Sequence, residues 1–147
     1  MKKRQKNDQQ QSCSEGGFTL VELLVVLGII AMLAALVAPQ VIRYLGQARV
    51  DTASAQLKNI ESALELYYLD NGQYPSNEEG LSALVDQPTS AKGWRGPYLK
   101  RKDGLKDPWG RSFAYRFPGE NGAYDVFCLG RDGQQGGDGE DRDLTSW

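Results

Sequence analysis

Three patterns of hydrophobic and polar positions follow one another along this chain. From Phe18 to Val37 there are twenty residues, mostly Leu, Val, Ile and Ala, and Glu22 carries their only formal charge. A helix of that length crosses a bilayer core of roughly 30 Å. Beyond it Val50, Ala53, Leu57, Ile60, Leu64 and Tyr67 return at intervals of three and four. Arg43, Arg49, Asp51, Lys58, Glu61 and Glu65 fall mostly between them. That spacing marks one buried stripe on an amphipathic helix. Pro39 stands between the two patterns, where a missing backbone donor predicts a bend or a local release of hydrogen bonds rather than an end. The reading is one nearly continuous helix from Phe18 to about Leu69, on the order of 78 Å at 1.5 Å per residue. Asp70-Asn71-Gly72 supplies the stop, with Gly72 suited to a left-handed cap.

After Gly72 the elements become short. Asn77 is a candidate cap for a brief helix with Glu78 and Glu79 in its first turn and Leu81, Leu84 and Val85 toward the core. Asp107-Pro108-Trp109-Gly110 predicts a tight turn with proline at its second position. From Ser112 to Phe117 the residues Phe113, Tyr115 and Phe117 alternate with Ala114 and Arg116, a period-two strand. Gly119 to Gly122 turns the chain into a second strand, Tyr124 to Leu129, and Tyr98 to Leu99 is read as a third. The fold class is α+β: a long N-terminal helix, transmembrane in its first half, packed on a small antiparallel sheet.

Charge orients the helix. Lys2, Lys3, Arg4 and Lys6 precede it against Asp8 and Glu15, so the positive-inside bias keeps the N-terminus in the cytoplasm and the remainder on the other side. An ordinary secretory signal would be cut near a small-x-small site after the apolar run. Leu36-Val37-Ala38 has leucine where a small residue is wanted, so the segment is expected to stay attached. Cys13 and Cys128 give no disulfide framework.

Glu22 is the chemical oddity of the span, because a carboxylate at a bilayer centre costs roughly 2.5 kcal/mol or more. No Lys, Arg or His lies between Phe18 and Gln40 to pair with it. Cutting the chain after Gly17 would create an α-amine on Phe18, and that group on a neighbouring subunit could meet Glu22. The alternative is a glutamate near the surface that snorkels or is protonated.

Gly17-Phe18-Thr19-Leu20-Val21-Glu22 followed by the apolar run resembles the class III signal of type IV pilins and type II secretion pseudopilins. The resemblance implies that a prepilin peptidase cuts between Gly17 and Phe18 and N-methylates Phe18. It further implies that the helix packs with its copies in a filament and that Glu22 sets the register of each new subunit. The organisation expected is a leader over 1–17, a transmembrane helix and polymerisation stem over 18–38, and a periplasmic head over 39–147 that includes the second half of the long helix. Removing the leader's four basic and two acidic residues takes the net charge from −2 to −4. That argues against a general nucleic-acid surface.

The tail, Leu129 to Leu144, sets five carboxylates among five glycines. It is too polar to pack and too glycine-rich for a helix. Convergent carboxylates and carbonyls are what Ca²⁺ takes, at six to eight oxygens, but the spacing is not that of an EF-hand. Composition alone fits a calcium loop and a solvated acidic loop equally. The run from Asp70 to Leu84 and this tail are similar to the major pseudopilin of type II secretion, and that resemblance implies a Ca²⁺ loop that stabilises head and filament. Carried over, Asp132 and Asp143 are the side-chain ligands, Leu129 offers a carbonyl, and Asp138 is a further ligand that Asp141 could replace. Trp147 would anchor the end of the chain. Arg131 sits where that family usually has a small residue, and as a cation beside the loop it is expected to lower calcium affinity.

Other chemistry is poorly supported. Trp94, Trp109 and Tyr115 could form a stacking platform, yet tryptophans beside Gly-Pro turns more often pin loops. Cys128 has no histidine anywhere in the chain to act as its base, so it reads as core. The expectation is a structural subunit without catalysis of its own. Its implied partners are copies of itself, prepilin peptidase, minor pseudopilins, the inner-membrane assembly platform and the bacterial inner membrane. Two rivals share parts of the pattern. A type IV or competence pilin would add a basic patch or paired cysteines, whereas a membrane-anchored lectin or hydrolase would not need a helix running from membrane to head.

Overall fold

A computed structural model describes residues 17–147. The leader through Gly16, with Cys13, lies outside the described residues. The chain forms two compact units, one ending at Pro39 and the other comprising Gln40–Trp147. A single helix, α1 (Leu20–Asn71), contributes to both and contains Pro39.

α1 starts where its first donors find an acceptor. The Thr19 hydroxyl accepts the Glu22 N–H at 3.2 Å, and the Thr19 carbonyl accepts the Leu23 N–H at 3.1 Å. Thr-x-x-Glu ahead of an apolar run is the order of a capping box, of which this is the Thr half. At the other end Gly72 takes φ +73° and its N–H reaches the Tyr68 carbonyl at 2.7 Å. The left-handed cap expected at Gly72 is formed, and the helix ends two residues beyond Leu69.

In the first unit all described side chains are exposed. The helix is long and apolar enough to cross a membrane. In the second unit the stripe from Val50 to Tyr67 joins one buried cluster with Leu81, Leu84, Phe113, Val126, Cys128 and Leu144. The predicted period of three and four is therefore the packed face.

The sheet has three antiparallel strands in the order β1 (Ala114–Arg116), β2 (Asp125–Cys128) and β3 (Leu144–Thr145). Tyr115 pairs with Val126, and Cys128 with Leu144. Val126 and Cys128 face the core, whereas Phe127 lies on the other face, where its ring meets Trp147 edge-on at 6.1 Å.

The third strand is not where the sequence predicts it. Tyr98 and Leu99 both donate their N–H groups to the Leu84 carbonyl, at 2.8 and 3.1 Å, so they close a loop onto the 3-10 helix Gly80–Leu84. Leu144 and Thr145 take the sheet position instead. The cap also moves: Asn77 exchanges two hydrogen bonds with the Phe117 backbone, at 2.6 and 2.8 Å, which spends its amide across the fold. Ser76 and Glu79 bond reciprocally in its place, each side chain to the other's N–H. Asp107-Pro108-Trp109-Gly110 is the expected turn, closed by the Gly110 N–H on the Asp107 carbonyl at 3.0 Å.

Candidate functional site

Two places carry the candidate chemistry, and each lies within one unit. At the head of α1, Phe18 is 85% exposed and Glu22 stands in the helix's first turn, exposed. Among the described residues no basic side chain pairs with Glu22. Apolar side chains from Leu20 to Val37 surround it on every side of the helix, so its carboxylate is the one charged landmark on that stretch.

The second place is the segment from Leu129 to Asp143, between β2 and β3. Five of its residues are glycines, and all five take positive φ: Gly130, Gly133, Gly136, Gly137 and Gly139. Side chains rarely adopt that region, so the loop's path requires glycine there. At Gly130 and Gly137 an added Cβ would also collide with the Asp141 backbone. The result is a tight coil in which the Gly133 N–H bonds the Leu129 carbonyl at 3.0 Å.

The predicted ligands are not equally placed. Asp143 is half-buried: its Oδ2 accepts the Gly136 N–H at 2.9 Å, while its Oδ1 is buried with no hydrogen-bond partner. Leu129 and Asp143 line one cavity of about 140 Å³ together with Asp125, Phe127, Thr145 and Trp147. Asp132 and Asp138 are exposed and do not line that cavity. Asp132 instead caps its own turn through the Gln134 N–H at 3.0 Å. Among the described residues no three His, Cys, Asp or Glu side chains gather as a metal-holding group. The loop thus brings Leu129 and Asp143 together and leaves Asp132 and Asp138 outside.

Asp141 is otherwise engaged. Both its oxygens accept from Arg131, Nε to Oδ1 and Nη2 to Oδ2, each at 2.9 Å. This pairing pushes the Arg131 guanidinium above its usual pKa. A second arginine, Arg111, donates to the Gly130 carbonyl and lies 3.6 Å from the buried Asp107 carboxylate. Arg111 carries little sequence signal, being only a cation next to the Asp-Pro-Trp-Gly turn.

The remaining candidates behave as core or pins. Cys128 is buried and free, and burial pushes its thiol up, away from the reactive thiolate. Trp94 donates its indole N–H to the Ala83 carbonyl at 2.9 Å, and the Tyr115 hydroxyl reaches the Pro75 carbonyl at 2.8 Å. Their polar atoms are spent on nearby backbone carbonyls, whereas the Trp109 indole nitrogen is buried with no hydrogen-bond partner. Trp147 rests on Phe127 but is 55% exposed, a looser anchor than expected.

Comparison with known proteins matches both units. Residues 40–147 match the family model for type II secretion system (T2SS) protein G, and residues 13–38 match the prokaryotic N-terminal methylation motif. The type II secretion system core protein G of Pseudomonas aeruginosa is 44% identical over 141 residues, covering 93% of this chain and 98% of the relative. Its counterpart in Vibrio cholerae is 42% identical over 134 residues, covering 89% and 90%. A crystal structure of the major pseudopilin from the type 2 secretion system of enterohaemorrhagic Escherichia coli is also similar. It is 34% identical, covers 68% of this chain and 87% of that one, and superposes with a TM-score of 0.57.

Proposed function

The chain belongs to the type II secretion system protein G family, and on that premise we propose that it is the major structural subunit of a pseudopilus. Prepilin peptidase would process it between Gly17 and Phe18 and methylate Phe18. The observation that carries this reading is the order Gly17-Phe18-Thr19-Leu20-Val21-Glu22, within the matched methylation motif, at the start of a helix whose apolar first stretch, through Val37, has no buried side chain.

Lipid tails are as apolar as leucine, so they give helices of this kind little reason to associate and none to choose a register. One carboxylate on each stem changes that. Paired with the Phe18 ammonium of a neighbour, Glu22 recovers its desolvation cost in one alignment only, because a low-dielectric surrounding strengthens correct pairs and penalises every unpaired charge. The head would lie in the periplasm, stacking on other heads while the stems bundle. Self-association, the minor pseudopilins and the inner-membrane platform are the partners this assembly needs.

Intact mass and N-terminal sequencing of membrane-extracted protein, made with and without prepilin peptidase, test the reading. A chain starting at N-methyl-Phe18 only with the peptidase present supports it. A start at Met1 under both conditions, or a cut after Ala38, overturns it.

We further propose that the 129–143 loop holds Ca²⁺ through the Leu129 carbonyl and Asp143, which line one cavity, and through Asp132 and Asp138, which stand outside that cavity and would have to turn inward as the ion binds. The buried, unpartnered Asp143 Oδ1 supports this, as does a donor set made only of oxygen, which suits a hard cation. The ion would neutralise carboxylates that otherwise repel. A melting temperature that rises in Ca²⁺ relative to EGTA, and does so less in Asp143→Asn, is the expected result. Equal melting temperatures in the two buffers would rule calcium out.

A further inference from the structure

We propose that Arg131 is a cationic brace built into the acidic loop, gripping Asp141 and seating Glu140 against α1 at Gly46 with no divalent cation required. The brace stands without the calcium reading, and only its comparison with added Ca²⁺ rests on that reading.

The argument begins with the guanidinium. Its planar fork meets both Asp141 oxygens at 2.9 Å, a bidentate geometry that fixes orientation as well as charge. The remaining nitrogen, Nη1, lies 3.8 Å from Glu140 Oε1. One cation therefore serves two successive carboxylates. The backbone repeats the same link, because the Arg131 N–H donates to the Glu140 carbonyl at 2.8 Å. Main chain and side chain of one residue thus tie the loop's first turn to its last.

What the brace holds down is visible on the helix. Gly46 is buried in mid-helix, where glycine is unfavourable relative to alanine. The reason for glycine is the Glu140 side chain lying over it: a Cβ at 46 would sit inside that carboxylate. One turn on, Arg49 Nη1 is 3.9 Å from Glu140 Oε2, an oxygen that is buried and takes no hydrogen bond. Glu140 is thereby seated on the helix backbone and flanked by one cation from the helix and one from the loop.

Charge explains the need. Five carboxylates share the stretch from Leu129 to Leu144 with only Arg131 and Arg142. Without compensation their repulsion favours an open loop. Arg131 cancels it at Glu140 and Asp141, and leaves Asp132, Asp138 and Asp143 as the acidic remainder. The same pairing withdraws Asp141 from any ligand set.

Hydrogen exchange of the full chain in detergent micelles tests this, read by mass on peptides covering 129–143, with the α1 stripe around Ile60 as the folding control. In EGTA, Arg131→Gln should exchange several-fold faster than wild type across the loop and unchanged around Ile60. Gly46→Ala is the independent variant, since alanine favours the helix by propensity but unseats Glu140. It should loosen the loop as well. Loop exchange in EGTA equal to wild type in both variants overturns the brace. Added Ca²⁺ separates the two proposals. If it slows the Arg131→Gln loop, calcium and brace act on the same turns. If it slows neither protein while Arg131→Gln still exchanges faster in EGTA, the calcium reading fails and the brace stands.

Discussion

From Leu20 to Leu45 α1 buries none of its residues, whereas from Gly46 to Tyr67 it buries eight. The backbone is the same α-helix in both stretches, since a helix satisfies its own N–H and C=O groups whatever surrounds it. What differs is the side-chain period. Up to Val37 the first stretch is apolar on all sides apart from Glu22, as suits a helix bounded by hydrocarbon, and the second is apolar on one stripe, as suits a helix bounded by core and water. Secondary structure therefore says little here about solvent, and the pattern says nearly everything.

The strongest way to break that comparison is to truncate one leucine in each stretch. Leu64 is fully buried, and Leu64→Ala is expected to cost about 2–5 kcal/mol through lost burial and a residual cavity. Leu27 is 54% exposed, and Leu27→Ala should stay within about 0.5 kcal/mol. Urea denaturation of each micelle-solubilised variant, followed by tryptophan fluorescence, gives the two numbers. Equal costs would mean that the two stretches do not differ as described.

Charged groups sharpen the contrast. Glu22 has no partner among the described residues, whereas Asp125 is 2% exposed and saturated. It accepts the backbone N–H groups of Glu120 and Asn121, at 2.8 and 3.2 Å, and the Asn121 amide at 3.4 Å. Asp125→Ala leaves those donors orphaned and is expected to cost about 2–3 kcal/mol in the same denaturation assay. A cost below that of a surface substitution would show that the Gly119–Gly122 turn repairs itself without its acceptor.

These two residues also show what a sequence displays and what it hides. The helix, its stop at Gly72 and the membrane-length run were legible because a period repeated over many residues outweighs any single side chain. So was the turn at Asp107, whose Pro and Gly fix backbone angles locally. The third strand was not. Leu144 and Thr145 are two residues after a glycine-rich loop, too few to show alternation, and their pairing with β2 depends on how that loop returns. Tyr98-Leu99, with a better strand composition, lost the place because the Leu84 carbonyl offered both N–H groups an acceptor. Asn77 lost its cap for a similar reason, since the Phe117 backbone forty residues away took both ends of its amide. At the loop, residue types announced acidic chemistry, but which carboxylate is half-buried (Asp143), exposed (Asp132) or arginine-bound (Asp141) is set by positive-φ glycines and by Arg131. None of that has a period.

Acid separates the head from the stem more gently. Glu79 is held below its usual pKa by hydrogen bonds, first from Ser90 and then from the Ser76 backbone. Its folded value lies below the unfolded one, so its stabilisation is complete above about pH 4.5 and disappears as pH falls through the lowered value. Urea midpoints should fall across that window in wild type, and Glu79→Gln should flatten part of the fall. A slope identical in both proteins would assign the acid sensitivity to other carboxylates.

The smallest effect tests where the stem begins. Among the described residues Thr19 supplies the one side-chain acceptor for the first donors of α1, and Thr19→Ala should cost about 0.5 kcal/mol, the low end for a lost cap. That is too little to move global unfolding, which reports the packed second stretch. It is enough to fray the first turn, so hydrogen exchange in micelles should quicken at Glu22 and Leu23 and nowhere beyond. Fraying there would also loosen the carboxylate whose position sets the proposed register, and Thr19→Ser, which keeps the hydroxyl, should restore slow exchange. If Thr19→Ala exchanges as wild type does, the start of α1 is held by its surroundings rather than by its own sequence, and the two stretches differ in one respect fewer.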